Sequence, residues 1–396
     1  MGSISTEKNA LVFGASGITG WAIVNAILNG YPSPESFSRV SALTNRPLPP
    51  DVAQWPQSGK LNVVSGVDLL QGTQADLERN LKERVAEVEK TTHVYFFAYV
   101  MDTDPEKEVQ INVDLLRRAV TAVEKLSTHL EFVVLPTGTK AYGVHLLQNF
   151  PWSENLPLQE SHPRIPEPYA SQMFYYNQLD LLKSLSQGKN WTFCDIIPDV
   201  IVGFVPNNNV YCLAQWLALY LSLCREIHGA GAEVVFPGTN KSWTIQSNDS
   251  SQDIIARFAI YASLNPAVGR AQSFNAADSA QSSSWSTKWP IICDYFGLKG
   301  AAPTNGPGPD PPTFLRENQE KWFELEKRYS LQTGRVGGNQ RSFEAFPAFI
   351  MSMFDFDRQL DLSQMHKAWG EGKEEVGTKE AWYTAFDRFR NSRIIP

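Results

Sequence analysis

Cysteine is scarce in this chain: four in 396 residues, Cys194, Cys212, Cys224 and Cys293, with no C-x-x-C spacing among them. Each sits in apolar sequence, which reads as a buried thiol in a reducing compartment and excludes a disulfide framework. The six histidines form no H-x-x-x-H pair, so no metal site is expected. Positive charge is also short. The net charge is −7, which argues against a nucleic-acid-binding surface. Long apolar runs are missing. The longest, Tyr211 to Cys224, is interrupted by Gln215 and Ser222. It falls below the roughly 18 residues that indicate a membrane span. Met1 to Lys8 is polar and lacks the apolar core of a secretory signal. A cytoplasmic globular protein is expected, with a small-molecule substrate and no nucleic-acid or membrane partner. Composition leaves the oligomeric state open, a homodimer among the options.

What is present begins at Asn9-Ala10-Leu11-Val12-Phe13-Gly14-Ala15-Ser16-Gly17-Ile18-Thr19-Gly20-Trp21. Ala10 to Phe13 is an apolar run that reads as a buried strand. Gly14, Gly17 and Gly20 follow at a spacing of three. Trp21, Val24 and Leu28 then recur with helical spacing. Strand, glycine turn and helix set backbone N–H groups and a helix N-terminus against a pyrophosphate. Gly14 would make the turn, Gly17 would let backbone approach the phosphates, and Gly20 would let helix and strand pack closely. Ser16, Ile18 and Thr19 belong to the same expected cradle. The pattern is G-x-x-G-x-x-G rather than the G-x-G-x-x-G of the standard dinucleotide fingerprint. Its place directly after a strand is what gives it weight.

Further strands are expected at Val40–Leu43, Leu61–Val67, His93–Val100, Leu130–Leu135 and Trp191–Val202. Helices are expected at Thr73–Lys90, Glu106–Leu126 and Ser171–Leu185. This alternation predicts an α/β fold, a Rossmann-type doubly wound parallel sheet. At the end of the second strand an NAD site usually carries an acid for the ribose hydroxyls. This chain has Thr44-Asn45-Arg46 instead. Arg46 is suited to a 2′-phosphate, with Thr44 and Asn45 adding hydrogen bonds, so NADPH is the expected cofactor. Asp68, with Leu69 beside it, is placed to reach an adenine amino group. Ala98 and Tyr99, at the carboxyl end of the fourth strand, should lie beside the cofactor.

Phe150 to Pro168 is rich in proline and polar residues and reads as a long connection that carries function or forms a lid. Beyond about residue 205 helices dominate: Val210–Ile227, Ser251–Leu264, Ser283–Phe296 and Phe314–Tyr329. Short strands are expected at Glu233–Phe236 and Ala271–Phe274, and a Pro/Gly-rich linker at 301–312. The expected division is a dinucleotide-binding domain over 1–205 and a mainly helical substrate-binding region over 206–396.

The usual Y-x-x-x-K pair of short-chain dehydrogenases is absent. Four residues beyond Tyr175 stands Leu179, and beyond Tyr176 stands Asp180. A lysine is available upstream, Lys140, after the fifth strand. Several motifs run together here: GASGITG (14–20), TNRP (44–47), THVYFFAY (92–99), NVDLL (112–116), TGTK (137–140), MFYYNQLD (173–180) and Pro198 to Phe204. Through them the chain resembles the progesterone 5β-reductase/iridoid synthase-like family of atypical short-chain dehydrogenases. The later half matches more loosely, at GTNKSW (238–243) and FNAAD (274–278). The resemblance implies that Lys140 and Tyr175 are the catalytic pair and that the reaction is NADPH-dependent reduction of carbonyl-conjugated C=C bonds. Thr137, Lys140, Tyr175, Pro198, Val200 and Ile201 join the expected cofactor contacts on the same basis. Three positions depart from the family pattern: Ala141, Ala98 and Ile197. They lie near the expected substrate side.

Hydride addition to the β-carbon of an enone places negative charge on the carbonyl oxygen. A tyrosine hydroxyl aimed at that oxygen stabilises it as an oxyanion hole does. A nearby ammonium stabilises negative charge at the tyrosine oxygen. Reduction of an enone or ketone in a small, largely apolar metabolite is therefore the leading expectation. A redox-neutral isomerase or cyclase on the same fold, and a non-catalytic NADP-sensing regulator, are the alternatives. Having both Lys140 and Tyr175 argues against the regulator.

Overall fold

The computed structural model describes residues 7–305, 308–343 and 345–396. Seven parallel strands form the central sheet. They are β1 (Asn9–Phe13), β2 (Arg39–Thr44), β3 (Leu61–Ser65), β4 (His93–Phe96), β5 (Phe132–Pro136), β6 (Thr192–Pro198) and β7 (Gln272–Ala276). Their spatial order is β7-β6-β5-β4-β1-β2-β3. The order reverses at β1, next to β4. Ligands of such sheets bind beyond the carboxyl ends of the strands at that switch.

Strand period decides which residues meet which layer. Ala10 and Val12 enter one core, Leu11 and Phe13 the other. In β5 the same alternation sends Phe132 and Val134 one way, Val133 and Leu135 the other. Three helices build the second layer: α2 (Gln74–Arg84), α3 (Pro105–Leu126) and α4 (Phe174–Ser186). Opposite them α1 (Ile18–Leu28) packs with α6 (Gln252–Leu264), and the helices of the C-terminal half extend that core. Among these are α5 (Leu213–His228), α7 (Trp285–Tyr295) and α8 (Thr378–Asn391).

The sheet draws on both sides of residue 205. β7 pairs with β6 from Gln272 opposite Cys194 to Ala276 opposite Pro198. The last helix reaches back to the first: Arg388 lies over the Trp21 ring at 5.0 Å, and Phe204 contacts both Phe389 and Trp21.

Several expected elements are shorter than their apolar runs. β4 ends at Phe96, not Val100; the Phe97 N–H still donates to the Phe13 carbonyl, and the Phe97–Ala98 peptide passes close to Gly14. β6 ends at Pro198, and Ile201–Val202 pairs with Ser250–Ser251 instead. The charged helix expected to Lys90 stops at Arg84, where Val85 turns extended and Glu87 takes a left-handed conformation. The helix expected over 314–329 is two, Pro311–Glu317 and Gln319–Tyr329, broken at Asn318.

Candidate active site

The glycine turn has the geometry of a phosphate cradle. Gly14 has φ +75°, and a Cβ there would lie 2.5 Å from the Phe97 carbonyl oxygen. A Cβ at Gly20 would lie 2.4 Å from the Gly14 carbonyl oxygen. Both positions require glycine, for the close approach of backbone to backbone. At Gly17 a Cβ would meet the Gly14 carbonyl oxygen at 3.3 Å, a tight contact but a milder one than at Gly14 or Gly20. α1 begins after Gly17 with no capping side chain and no acid in its first turn. By contrast α2 carries a Thr73/Asp76 capping box, and Asp104 caps α3. An uncapped N-terminus at a glycine turn leaves N–H donors and a positive dipole end for a pyrophosphate. The residues present therefore fit a dinucleotide.

Around this cradle the expected cofactor residues take distinct roles. Thr44 is buried, and its hydroxyl donates to the Arg46 carbonyl at 2.7 Å, shaping the turn. Asn45 and Arg46 are exposed. Among the described residues the Arg46 guanidinium has no ion pair or hydrogen bond. Asp68 is exposed and accepts from the Leu70 N–H at 2.9 Å, while Leu69 is buried. Thr137 turns its hydroxyl inward to Asp195 at 3.1 Å, away from a ligand. Pro198 is buried at the end of β6, with Val200 and Ile201 half-buried beyond it.

The candidate catalytic side chains meet at the carboxyl ends of β4 and β5. Gly14 touches the Phe97–Ala98 peptide, and Tyr99 follows, stacked on Phe174 at 5.4 Å. Phe174 contacts Tyr175 edge-on at 4.4 Å. Lys140 sits in the turn Thr139–Tyr142, capped by Gly138, and its Nζ lies 5.5 Å from the Phe174 ring and 5.9 Å from the Tyr175 ring. Gly138 lies against Tyr175: a Cβ there would be 3.5 Å from its hydroxyl. Among the described residues neither Tyr175 Oη nor Lys140 Nζ has a hydrogen-bond partner. Burial pushes the Tyr175 phenol above its usual range, and Glu108 and Tyr211 add to this. Burial holds Lys140 below its usual value, with Glu108 opposing.

Tyr176 is different. Its hydroxyl donates to the Ala141 carbonyl and accepts from the Ile165 N–H at 3.0 Å. It ties α4 to the Lys140 turn and to the Phe150–Pro168 connection. That connection is anchored elsewhere too: Leu158 N–H donates to Gln359, and Glu160 accepts from the Asn275 N–H.

Glu108 escaped the sequence reading. It lies on α3 and accepts from the Tyr99 hydroxyl at 2.5 Å. The nine-residue separation from Tyr99, across a loop and the start of α3, gives no periodic signal for this contact. Tyr211 packs edge-on against Tyr99 at 5.9 Å and closes the aromatic wall.

Parallel sheet, uncapped glycine turn and a free tyrosine and lysine at the switch point define an NAD(P)-dependent oxidoreductase of the short-chain dehydrogenase class. A family profile described as a PRISE-like Rossmann-fold domain matches residues 10–396, and the chain belongs to that family. It is 35% identical over 397 residues to "Short chain dehydrogenase ausT" of Aspergillus calidoustus, covering 99% of this chain and 95% of that protein. It is 26% identical to "3-oxo-Delta(4,5)-steroid 5-beta-reductase" of Arabidopsis thaliana, covering 84% and 81%. Among solved structures, a UDP-N-acetylglucosamine 4-epimerase from Methanobrevibacter ruminantium M1 superposes with a TM-score of 0.61 at 16% identity, covering 98% of this chain and 99% of that one. That likeness is one of fold.

Proposed function

We propose that this protein is an NADPH-dependent reductase of an α,β-unsaturated carbonyl, or a ketone, in a small and largely apolar metabolite. The observation that carries the reading is a pair of buried groups without a hydrogen-bond partner among the described residues: Lys140 Nζ lies 5.9 Å from the Tyr175 ring, whose hydroxyl sits against Gly138 just beyond β5. Relatives named as reductase and dehydrogenase support the reaction class. The exposed and unpaired Arg46 supports the phosphorylated cofactor.

NADPH, when bound, supplies the hydride. Gly14, Gly17 and the N-terminus of α1 hold its pyrophosphate, and Arg46 with Asn45 meets the 2′-phosphate. Tyr175 donates a hydrogen bond to the substrate oxygen as negative charge grows there. A phenol pushed up by burial stays protonated at neutral pH, which keeps it a donor. The Lys140 ammonium stabilises negative charge at the phenol oxygen. Tyr99, Phe174 and Tyr211 form an aromatic wall beside both groups. Steady-state kinetics on a panel of enones and ketones, with NADPH and NADH, tests the reading. Turnover of an enone with NADPH preferred is the expected result. No NADPH oxidation with any substrate, in a chain that binds NADPH, rejects it in favour of the redox-neutral enzyme or the regulator.

A further inference from the structure

A buried chain of polar contacts runs from the C-terminal segment to the turn that bears Lys140. Arg358 is 2% exposed and Asp199 6%. Arg358 Nε donates to Asp199 Oδ2 at 2.8 Å. Thr139 Oγ1 donates to Asp199 Oδ1 at 3.1 Å, and Thr139 is the residue before Lys140. The Asp199 N–H in turn donates to Ser250 Oγ, which donates to the Ala276 carbonyl at the end of β7. Asp199 thus stands where the ends of β5, β6 and β7 and the tail meet.

The tail delivers Arg358 rigidly. Its N–H donates to the Gln246 carbonyl, Asp357 accepts from the Gln246 N–H, and the Leu360 N–H donates to Asn248. The guanidinium lies over the Phe354 ring at 4.6 Å. A buried carboxylate with one oxygen on an arginine and the other on a hydroxyl holds that hydroxyl in one place.

We infer that Arg358, acting through Asp199 and Thr139, is a positioning residue that fixes the Lys140 turn against Tyr175. The inference rests on the proposed role of Lys140. Arg358 touches neither substrate nor cofactor in this scheme. Its charge orients the Asp199 carboxylate, and the carboxylate holds the Thr139 side of the turn. Lys140 then projects from the other side. Loss of the link leaves the turn in place through its backbone bonds, Ala141 N–H to Gly138 and Gly143 N–H to Lys140, but loosens its seat on β6. A misplacement of about 1 Å in a reacting group costs about 10²-fold in rate.

The test compares Arg358→Met, Arg358→Lys, Thr139→Val and Lys140→Met with wild type, on an enone that wild type reduces. Folding is followed by thermal melting and NADPH affinity by quenching of tryptophan fluorescence. Arg358→Met should lower kcat about tenfold or more while the NADPH Kd stays within about threefold. Arg358→Lys should recover part of the kcat. Thr139→Val, which removes only the last link, should lower kcat in the same direction by less. If Arg358→Met does not fold, the neutral pair Asp199→Asn with Arg358→Met takes its place, and kcat should again fall. A folded Arg358 variant with a lower melting temperature and wild-type kcat overturns the positioning role while Lys140→Met still loses turnover. If Lys140→Met itself keeps wild-type kcat, the reading of the site has failed and the positioning role falls with it.

Discussion

Two adjacent tyrosines on α4 carry different burdens. Tyr175 has an unpaired hydroxyl beside Lys140, whereas the Tyr176 hydroxyl is engaged by Ala141 and Ile165. Tyr175→Phe should therefore lower kcat by about 10²–10³, the usual cost of one oxyanion donor, with little change in melting temperature. Tyr176→Phe should show the opposite balance. It strands a buried N–H and a carbonyl, costs about 1–3 kcal/mol of stability, and lowers kcat less. Kinetics and melting on both variants separate the two; wild-type kcat in Tyr175→Phe with loss in Tyr176→Phe would move the acid by one residue. Arg46 offers a second test at this scale. Hydrogen bonds to charged groups contribute about 1.5–3 kcal/mol. Arg46→Ala should weaken NADPH binding by about 10- to 100-fold and leave NADH binding unchanged, as read by calorimetric titration. Equal losses for both cofactors would remove Arg46 from the 2′-phosphate.

At the scale of elements, the glycine turn divides into two kinds of position. Gly20 packs on backbone that has nowhere to go, so Gly20→Ala should destabilise the fold by about 1–3 kcal/mol. A Cβ at Gly17 meets backbone less severely, at 3.3 Å from the Gly14 carbonyl oxygen, so Gly17→Val should fold with a modestly lowered melting temperature and lose NADPH binding. Melting curves with and without NADPH decide this, and a Gly17→Val chain still stabilised by NADPH contradicts the cradle. Elements of this kind were legible because their signals are local. Strands β1, β4 and β5 are short buried apolar runs, and the glycines follow β1 at fixed spacing. The contribution of β7 to the sheet was not legible. Its sequence, QSFNA, is five residues with one large apolar side chain, and its partner β6 lies far away in the chain. The helix break at Asn318 has no proline or glycine to mark it. Within the site, Lys140 and Tyr175 stand out through their motifs. Asp199 and Arg358 do not, because 159 residues separate two charges that mean nothing until folding joins them.

For the whole molecule, two buried carboxyl groups set a pH dependence. Burial pushes Asp195 up to about 6, against hydrogen bonds from Ser273 and Thr137. Burial pushes Asp278 up to about 8, with Asp249 adding to it, and Asp278 Oδ2 has no partner. Both folded values lie above the unfolded value of about 3.9. A raised folded pKa means that the folded chain binds the proton more tightly. Its stabilising effect is complete below about pH 4 and is lost as pH rises through about 6 for Asp195 and about 8 for Asp278. Burial holds His93 at about 3 and His145 at about 4, which opposes this fall below about pH 6.5. Melting temperature should therefore fall between roughly pH 6.5 and pH 8, and Asp278→Asn should flatten that fall. A variant whose melting profile keeps the wild-type slope would show that Asp278 is not the group responsible. Asp278→Asn preserves the oxygen that accepts from the Ser251 N–H at 2.8 Å, so the start of α6 should survive.

The reach of the last helix back to Trp21 also bears on how the gene tolerates damage. The helix that opens the dinucleotide cradle is covered by Arg388 and, through Phe204, by Phe389, residues encoded far downstream of it. During synthesis β6 emerges with one edge open and waits for β7, and α1 waits longer still for α8. An unpaired edge beside uncovered apolar surface is where nascent chains aggregate. A stop codon ahead of Thr378 thus uncovers the helix of the glycine turn as well as removing the residues beyond it.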